Sequence, residues 1–421
     1  MATMAPGRPR ADQHHSGDWA SGGALSRLLA EAARLHPDRP AFRDGPGRES
    51  WCGRPSFELS CEIADEAVAR LAGYLAELEL EFGSRVGICL PNGSEAAMSI
   101  LAVGAAGLTP CLLDATATAG ELSNAIETAD IRAVITQARL GADRLAEKLC
   151  FVAAGFFRLR FLLAFGPNVP DGVVDLDPVL LSPRRSRALS LRSADPSGTE
   201  PGFVSFARGS GGRSPFFRTY RSLIAATAPI IRAAKLRPRD RLLTLIPADD
   251  LKGLATGLVA ALVSGATLEA HAVFESTSFG EALGAGGPTH LVVPGWMEPA
   301  LAEMNPGPAL RSTILVHEPP LQLEGRPAGT SRIVDVVCCS EMALLSAARG
   351  DAGRISSTVL CAAGGSETGP PLIHVELSPE DEILVRGPGV ALRDRSIEDA
   401  SEWYGSGLKI ERSGTAIASI A

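Results

Sequence analysis

Apolar residues follow two alternating patterns along the chain, helical spacing and short continuous runs. Steps of three and four residues predict a helix that opens at Ala24 and stops at His36-Pro37, and a second helix over about 60–80. Short apolar runs then alternate with further helical stretches. The predicted strands are 85–90, 110–113 and 133–136, and the predicted helices between them are 93–107 and 121–129. This alternation is typical of crossover units in a parallel sheet.

The same alternation returns in the second half of the chain. The predicted strands there are 241–246, 266–271 and 290–293, with helices at 253–264 and 279–283. Two further extended segments, 373–377 and 382–386, stand between Pro and Gly turns. We therefore predict an α/β fold of two stacked parallel-sheet lobes flanked by helices, plus a smaller β-barrel-like subdomain. The predicted boundaries are 1–23 for a disordered tail, 24–200 and 201–335 for the lobes, and 336–421 for the β-rich subdomain, with a linker near 180–201.

Composition and charge exclude several classes of function. The 421 residues carry a formal net charge of −8 without a long basic run, which argues against nucleic acid as a partner. No apolar stretch is long enough to span a membrane, and the start of the chain has no secretory signal. A cytoplasmic protein is the expectation. The eight cysteines form no CxxC pair and the histidines form no HExxH motif, so a zinc hydrolase has little support.

Three separated phrases carry a resemblance to a known family. They read GSRVGICLPNGSEAAMSILAVGAAGLTPCLLDATATAGELSNAIETADIRAVIT at 83–136, LRPRDRLLTLIPADDLKGLATGLVAALVSGAT at 236–267 and EDEILVRGPGVALRD at 380–394. In amino-acid sequence and in their order along the chain, they resemble the large domain of adenylate-forming enzymes: acyl-CoA synthetases, peptide-synthetase adenylation domains and luciferases. The resemblance implies that ATP and a carboxylate give an acyl-adenylate, with Mg²⁺, and that the acyl group passes to coenzyme A or a carrier-protein thiol.

The resemblance also implies a phosphate-binding loop. The family's hydroxyl- and glycine-rich loop ends in Pro-Lys, and its counterpart here lies within 206–215, where Ser214 or Pro215 takes the lysine's place. The candidate nucleotide-binding residues of this loop are Arg208, Gly209, Ser210, Gly211, Gly212 and Arg213. Backbone N–H groups of such a loop can hold an anion after side chains have changed. A surface loop that binds nothing is the alternative.

A second implied element normally supplies an aromatic ring over adenine and an acid for magnesium. Its counterpart is 337–341, where Ser340 and Glu341 keep the hydroxyl and the carboxylate while the ring and the glycine are lost. Ser340 is therefore a candidate nucleotide contact and Glu341 the candidate Mg²⁺ ligand. The alternative is that Glu341 only begins an apolar helix containing Met342 and Leu344, because acids are favoured at helix N-termini.

Other family positions are changed in ways that weaken nucleotide binding. His317 and Glu318 replace glycines of the turn that flanks adenine, where backbone must approach a flat ring closely. Leu408 stands at the position of the ribose-binding carboxylate, and leucine cannot accept a hydrogen bond. On the acyl side, Asp249 and Asp250 follow a predicted strand, and two acids there either repel a carboxylate substrate or form a solvated turn. The family's small C-terminal domain is expected to be absent.

Three hypotheses follow, and no catalytic residue is assigned under any of them. The first is a degenerate AMP-dependent synthetase homologue that is catalytically impaired and acts as a binding or partner protein. The second is a divergent acyl-CoA synthetase or acyl-AMP ligase for a fatty or other carboxylic acid, with the C-terminal domain supplied by another protein. The third is a structural subunit of a synthetase complex.

Overall fold

The computed structural model describes most of the chain in ordered segments. They are residues 24–181, 201–209, 212–304, 308–322, 331–350, 372–391, 401–413 and 416–420. The predicted disordered tail and most of the predicted linker lie outside the described residues.

Twelve α-helices are numbered in chain order. They are α1 (Ala24–Leu35), α2 (Arg48–Cys52), α3 (Cys61–Glu77), α4 (Ser94–Ala105), α5 (Ala119–Thr128), α6 (Leu145–Ala153), α7 (Asp177–Leu181), α8 (Tyr220–Ala234), α9 (Leu251–Leu254), α10 (Ala260–Ser264), α11 (Ser276–Gly284) and α12 (Glu298–Met304). A π-helical turn, Ala255–Val259, joins α9 to α10, and a 3₁₀ turn, Gly295–Met297, precedes α12.

Twenty β-strands complete the described secondary structure. They are β1 (Pro40–Asp44), β2 (Glu58–Ser60), β3 (Arg85–Ile88), β4 (Thr109–Leu112), β5 (Ala133–Gln137), β6 (Phe161–Phe165), β7 (Val174–Asp175), β8 (Gly202–Gly209), β9 (Gly212–Thr219), β10 (Arg241–Thr244), β11 (Thr267–Ala270), β12 (Thr289–Pro294), β13 (Leu310–His317), β14 (Leu321–Gln322), β15 (Arg332–Cys339), β16 (Ala343–Ala348), β17 (His374–Leu377), β18 (Glu382–Arg386), β19 (Tyr404–Ser413) and β20 (Ala416–Ile420).

The strands form two large sheets and one small sheet. The seven-stranded sheet has the order β7-β6-β5-β3-β4-β8-β9, and all its neighbouring pairs are parallel except β8 with β9. The eight-stranded sheet has the order β16-β15-β13-β12-β10-β11-β1-β2, with antiparallel pairs only at its two edges. The small sheet, β14-β20-β19-β18-β17, is antiparallel. The predicted fold class is confirmed.

Sheet membership does not follow the predicted segments of the chain. Strands β1 and β2 precede residue 200 but lie in the eight-stranded sheet, because β1 pairs in parallel with β11. Conversely, β8 and β9 follow residue 200 and extend the seven-stranded sheet beside β4. The chain therefore crosses between the sheets twice, which makes the two lobes one interlocked unit.

The largest hydrophobic core lies between the two large sheets. Helices α1, α3, α4 and α8 and the continuous α9–π–α10 helix contribute buried side chains to it. Separate clusters cover the outer faces, with α5 and α6 on the seven-stranded sheet and α11 and α12 on the eight-stranded sheet. Each large sheet is thus covered on both faces, as parallel sheets require.

A buried ion network fixes β1 against α4. Asp44 at the end of β1 accepts a 2.8 Å hydrogen bond from the Ser94 backbone N–H, at the start of α4. Arg48, which is 1% exposed, pairs with both Asp44 and Glu95. This network positions β1 and therefore one end of the eight-stranded sheet.

Candidate functional site

Of the residues singled out from the sequence, one group lies where parallel strands of the eight-stranded sheet end, whereas the glycine-rich loop belongs to the β8–β9 hairpin of the seven-stranded sheet. Asp249 and Asp250 follow β10, His317 and Glu318 stand at the end of β13, and Glu341 follows β15. Ligands of open α/β sheets bind outside the carboxyl ends of the strands. We call this the carboxyl edge.

Glu341 lies in the tight turn between β15 and β16 and faces the protein interior. Its side chain is buried, and one carboxylate oxygen accepts a 3.0 Å hydrogen bond from the Leu251 backbone N–H. Burial, with added repulsion from Asp250, raises the pKa of Glu341 to about 7. The alternative prediction of an apolar helix after Glu341 is wrong, since Ala343–Ala348 form a strand paired with β15. Ser340, the other candidate, is exposed and has a φ of 50°.

A buried arginine holds this turn in place. Arg218 at the end of β9 donates hydrogen bonds to the carbonyl oxygens of Glu341 (3.1 Å), Met342 (2.8 Å) and Gly389 (2.7 Å). Burial lowers the pKa of Arg218 to about 10, although the Glu341 charge opposes the shift. The turn that carries Glu341 is therefore built into the interior and held by the arginine from β9.

The two acids after β10 are not a solvated turn. Asp250 caps α9 by accepting a 3.0 Å hydrogen bond from the Gly253 N–H, and it pairs with Lys252. Lys252 also contacts Glu318 at 2.8 Å. Burial, followed by repulsion from Asp250, raises the pKa of Asp249 to about 7. A side chain at position 253 would overlap the Pro247 carbonyl, so the turn requires glycine.

Glu341 is the sequence-predicted magnesium ligand at the carboxyl edge. Mg²⁺ prefers several oxygen ligands in octahedral geometry. Within the described ranges, no group of three or more His, Cys, Asp or Glu side chains is arranged to hold a metal ion. One Glu341 oxygen accepts a hydrogen bond from a backbone N–H, and its pKa of about 7 leaves the carboxyl partly ionised at neutral pH.

The position matched to the adenine-flanking turn is filled by a buried histidine. His317 Nε2 lies 2.9 Å from Asp335 Oδ1, and Arg349 donates to Asp335 through Nε at 2.8 Å. Arg349 also pairs with Glu298. We call these four residues the His317 network. Burial would raise the pKa of Asp335, but hydrogen bonds from Arg349 and His317 lower it below its usual range.

The imidazole also occupies the space above the Gly295 backbone. A Cβ added at Gly295 would lie 2.1 Å from His317 Nδ1, so ring and backbone are in direct contact. A flat ligand ring stacked on this backbone would therefore have to displace a side chain that is hydrogen-bonded and 9% exposed.

The glycine-rich loop is an antiparallel hairpin. Strands β8 and β9 pair from Gly202↔Thr219 to Gly209↔Gly212, with Arg208 opposite Arg213 in the ladder. Ser210 and Gly211, which connect the strands, lie outside the described residues. The hairpin leaves Arg208 and Arg213 as directly paired backbone neighbours.

Leu408 packs in the small sheet. It packs, half-buried, against the hydrophobic cluster that includes Val385 and Ile410, and its N–H donates to Ser406 Oγ at 3.2 Å. The side chain offers no hydrogen-bond acceptor to a ribose.

The apolar helix after Asp250 belongs to the core. Leu254, Leu258 and Ala261 are at most 2% exposed and join the cluster between the two large sheets. A π-helical turn at Ala255–Val259 interrupts the helix. These residues pack against both sheets, as the core-packing alternative requires.

Sequence reasoning missed three residues that shape the carboxyl edge: Arg218, Asp335 and Arg349. A usable signal existed for one of them. Asp335 is the one charged residue inside the apolar run of β15, and a lone acid there indicates a buried partner. Nothing local in the sequence distinguishes Arg218 or Arg349 from a surface arginine.

Comparison with known proteins identifies relatives. The salicyl-AMP ligase / salicyl-S-ArCP synthetase of Mycobacterium tuberculosis is 29% identical over 306 residues, covering 70% of this chain and 50% of that protein. The chain thus spans about half the length of this curated relative. No helix in the described part of the chain is long and apolar enough to cross a membrane.

Solved structures share the fold at low sequence identity. A putative long-chain-fatty-acid CoA ligase from Rhodopseudomonas palustris has a TM-score of 0.70 at 17% identity, covering 94% of this chain and 98% of that one. The Klebsiella oxytoca NpsA N-terminal subdomain, in complex with 3-hydroxybenzoyl-AMSN, has a TM-score of 0.62 at 15% identity, covering 94% of both chains.

The family assignment rests on a match that covers most of the described fold. The AMP-binding enzyme family matches residues 29–388, which include both large sheets and the carboxyl edge. ATP-dependent adenylate-forming chemistry is the activity associated with this family. The chain belongs to the AMP-binding enzyme family.

Proposed function

We propose that this chain is an impaired member of its family, one that binds a carboxylate or acyl ligand, or a partner protein, without forming an acyl-adenylate. The observation that carries the proposal is the buried His317 network at the adenine-flanking position. A nucleotide base placed there competes with an imidazole that is hydrogen-bonded to Asp335 at 2.9 Å and packed on Gly295. A cytoplasmic location is part of the same proposal.

Three further features support this proposal. Glu341 points inward onto the Leu251 N–H, Leu408 packs in the small sheet, and Ser214 or Pro215 replaces the phosphate lysine. Removing one such electrostatic contact typically costs about 3–4 kcal/mol of transition-state stabilisation. Several losses together leave ATP and Mg²⁺ with few of the contacts that the family resemblance implies.

A second candidate is a divergent acyl-CoA synthetase or acyl-AMP ligase, completed by a C-terminal domain from another protein. Glu341, at the end of β15, specifically supports this second candidate. Its pKa of about 7 means that the carboxylate form is present at neutral pH. The similarity to a salicyl-AMP ligase favours an aromatic carboxylate for such an enzyme. Coenzyme A or a carrier protein would then accept the acyl group.

A third role, as a structural subunit in a synthetase complex, predicts no ligand at this edge. Under this role, the chain should associate with an intact synthetase and should not bind a small molecule. Titration with salicylate, benzoate or a fatty acid alone separates it from the ligand-binding form of the first proposal, because the structural role predicts no carboxylate binding.

The decisive experiment measures ligand binding, because binding does not depend on a C-terminal domain. A related N-terminal subdomain alone holds 3-hydroxybenzoyl-AMSN. We expect calorimetric titration of this chain with ATP, AMP and 3-hydroxybenzoyl-AMSN, each with and without Mg²⁺, to show binding at least about a hundredfold weaker than to that subdomain.

Exchange of pyrophosphate into ATP tests whether the chain forms an acyl-adenylate. With salicylate, benzoate or a fatty acid, we expect no exchange above background, while the salicyl-AMP ligase of Mycobacterium tuberculosis serves as the positive control. Robust exchange that disappears in Glu341→Gln would contradict the proposal and establish the second candidate.

A further inference from the structure

A cavity of about 690 Å³ lies at the opposite edge of the eight-stranded sheet. It opens where β1, β10, β11 and β12 begin, so we call it the amino-edge cavity. Its lining residues are Leu35, His36, Pro37, Asp38, Arg39, Pro40, Arg43, Arg239, Arg241, Thr267, Gly286, Gly287 and Pro288. The volume matches that of small-molecule sites.

The lining is strongly basic. Four arginines face one aspartate, Asp38. Two of the arginines are anchored by acids, since Arg241 and Arg43 lie 3.2 and 3.5 Å from buried Glu269. Arg43 also lies 2.9 Å from Glu58. Burial would raise the pKa of Glu269, but the hydrogen bond from His271 and the charges of these arginines lower it.

The other two arginines have no such anchor. Neither the Arg39 nor the Arg239 guanidinium forms a hydrogen bond or ion pair with any residue that the structure describes, although Arg39 is only half-exposed. Arg39 and Arg239 therefore leave two unpaired guanidinium groups at a cavity whose one lining acid is Asp38. Guanidinium groups match phosphate and carboxylate oxygens with paired hydrogen bonds.

Two adjacent glycines add backbone donors to the same cavity. Gly286 and Gly287 have φ values of 79° and 80°, a left-handed conformation that favours glycine, and open space surrounds both Cβ positions. Their backbone N–H groups form no hydrogen bond within the described chain. Unbonded N–H groups in a left-handed turn are typical partners of phosphate oxygens.

We propose that the amino-edge cavity binds a small phosphate-bearing molecule through Arg39, Arg239 and the Gly286–Gly287 backbone. The site is distinct from the carboxyl edge. Strand β12 begins beside Pro288 and ends before Gly295, beneath His317, and its six residues span about 20 Å. The proposal does not depend on whether the carboxyl edge binds a nucleotide.

The test is calorimetric titration of the full chain with inorganic pyrophosphate. We expect one binding event that weakens about tenfold in Arg239→Ala and in Arg39→Ala, because each removes a charge-assisted contact. Arg237→Ala is the matched control, since Arg237 is exposed and two residues away but does not line the cavity. Its affinity should stay within about twofold of the unchanged chain.

Two further arms identify the site and the ligand class. The double variant Arg208→Ala/Arg213→Ala should retain the binding event, because it changes only the hairpin between β8 and β9. Citrate, a polycarboxylate of similar charge, should bind at least about tenfold more weakly than pyrophosphate.

The proposal is overturned by any of four results. They are no pyrophosphate binding, equal loss in Arg237→Ala, loss of binding only in the hairpin variant, and tighter binding of citrate. Circular dichroism and thermal unfolding of each variant show whether a loss of binding comes from a loss of fold.

Discussion

The two edges of the eight-stranded sheet use charged residues in opposite ways. In the His317 network, which reaches the carboxyl edge through His317, Arg349 is fully buried and bound to Asp335 and Glu298. At the amino edge, Arg39 and Arg239 line a cavity and have no partner in the described chain. One edge has its charges neutralised by its own fold, and the other keeps free charge available to a ligand.

This difference separates family resemblance from present chemistry. The carboxyl edge carries Glu341 and His317, two positions that the family resemblance singled out, yet its polar groups bind each other. Buried polar groups need hydrogen-bond or ion-pair partners. A group that already has such partners within the protein is less available to bind a ligand. Free guanidinium groups in a cavity are better evidence of a working site than a retained motif residue.

The largest expected effect is on stability, from matched arginine variants at the two edges. Arg349→Ala leaves Asp335 buried without its cation, so we expect a loss of about 3–5 kcal/mol in the free energy of unfolding. Arg239→Ala should change it by less than about 0.5 kcal/mol. Urea unfolding of both variants at neutral pH measures the contrast. Equal losses at the two edges would remove the distinction between them.

A smaller effect is expected from the buried carboxyl group of Glu341. Its pKa is about 7 when folded against an ordinary 4.5. The folded state thus binds the proton more tightly, so this stabilisation is complete below pH 4.5 and is lost as pH rises through 7. The full loss is about 3 kcal/mol at about 1.36 kcal/mol per pKa unit.

Glu341→Gln tests this pH dependence, because glutamine stays neutral and can still accept the Leu251 N–H. We expect the variant to gain stability relative to the unchanged chain between pH 5 and 8, measured by urea unfolding at several pH values. Glu31→Gln, an exposed pair partner of Arg34, is the control and should show no such trend. Parallel curves for Glu341→Gln would mean that the carboxyl is already ionised at pH 5.

The smallest effect concerns the ribose position. Leu408→Asp restores the family's carboxylate but removes a side chain packed in the small sheet. We expect AMP affinity to improve by no more than about 1 kcal/mol, since one hydrogen-bonded contact cannot offset the His317 network. Calorimetry with AMP on Leu408→Asp and on Leu408→Asn checks it. A gain of about a hundredfold would show that the rest of the nucleotide pocket is intact.

The sequence predicted most of the central elements correctly. Predicted strands 85–90, 110–113 and 133–136 correspond to β3, β4 and β5, and 382–386 coincides with β18. The prediction after Glu341 failed because Leu344 and Leu345 suit a buried strand as well as a helix. Pairing of β16 with β15 decides between them, and a short apolar run carries no information about that pairing.

The sequence by itself determined the α/β class and the family. Hydrophobic period and phrase order are local properties that survive substitution, and parallel strands bring their carboxyl ends to one edge. Only the tertiary structure decided that β1 joins the far sheet, that His317 is bound to Asp335 and Arg349, and that Arg39 and Arg239 share a cavity. These facts depend on contacts between residues that are distant in the chain. The free-energy cost of burying a charged side chain depends on which partners the fold places beside it.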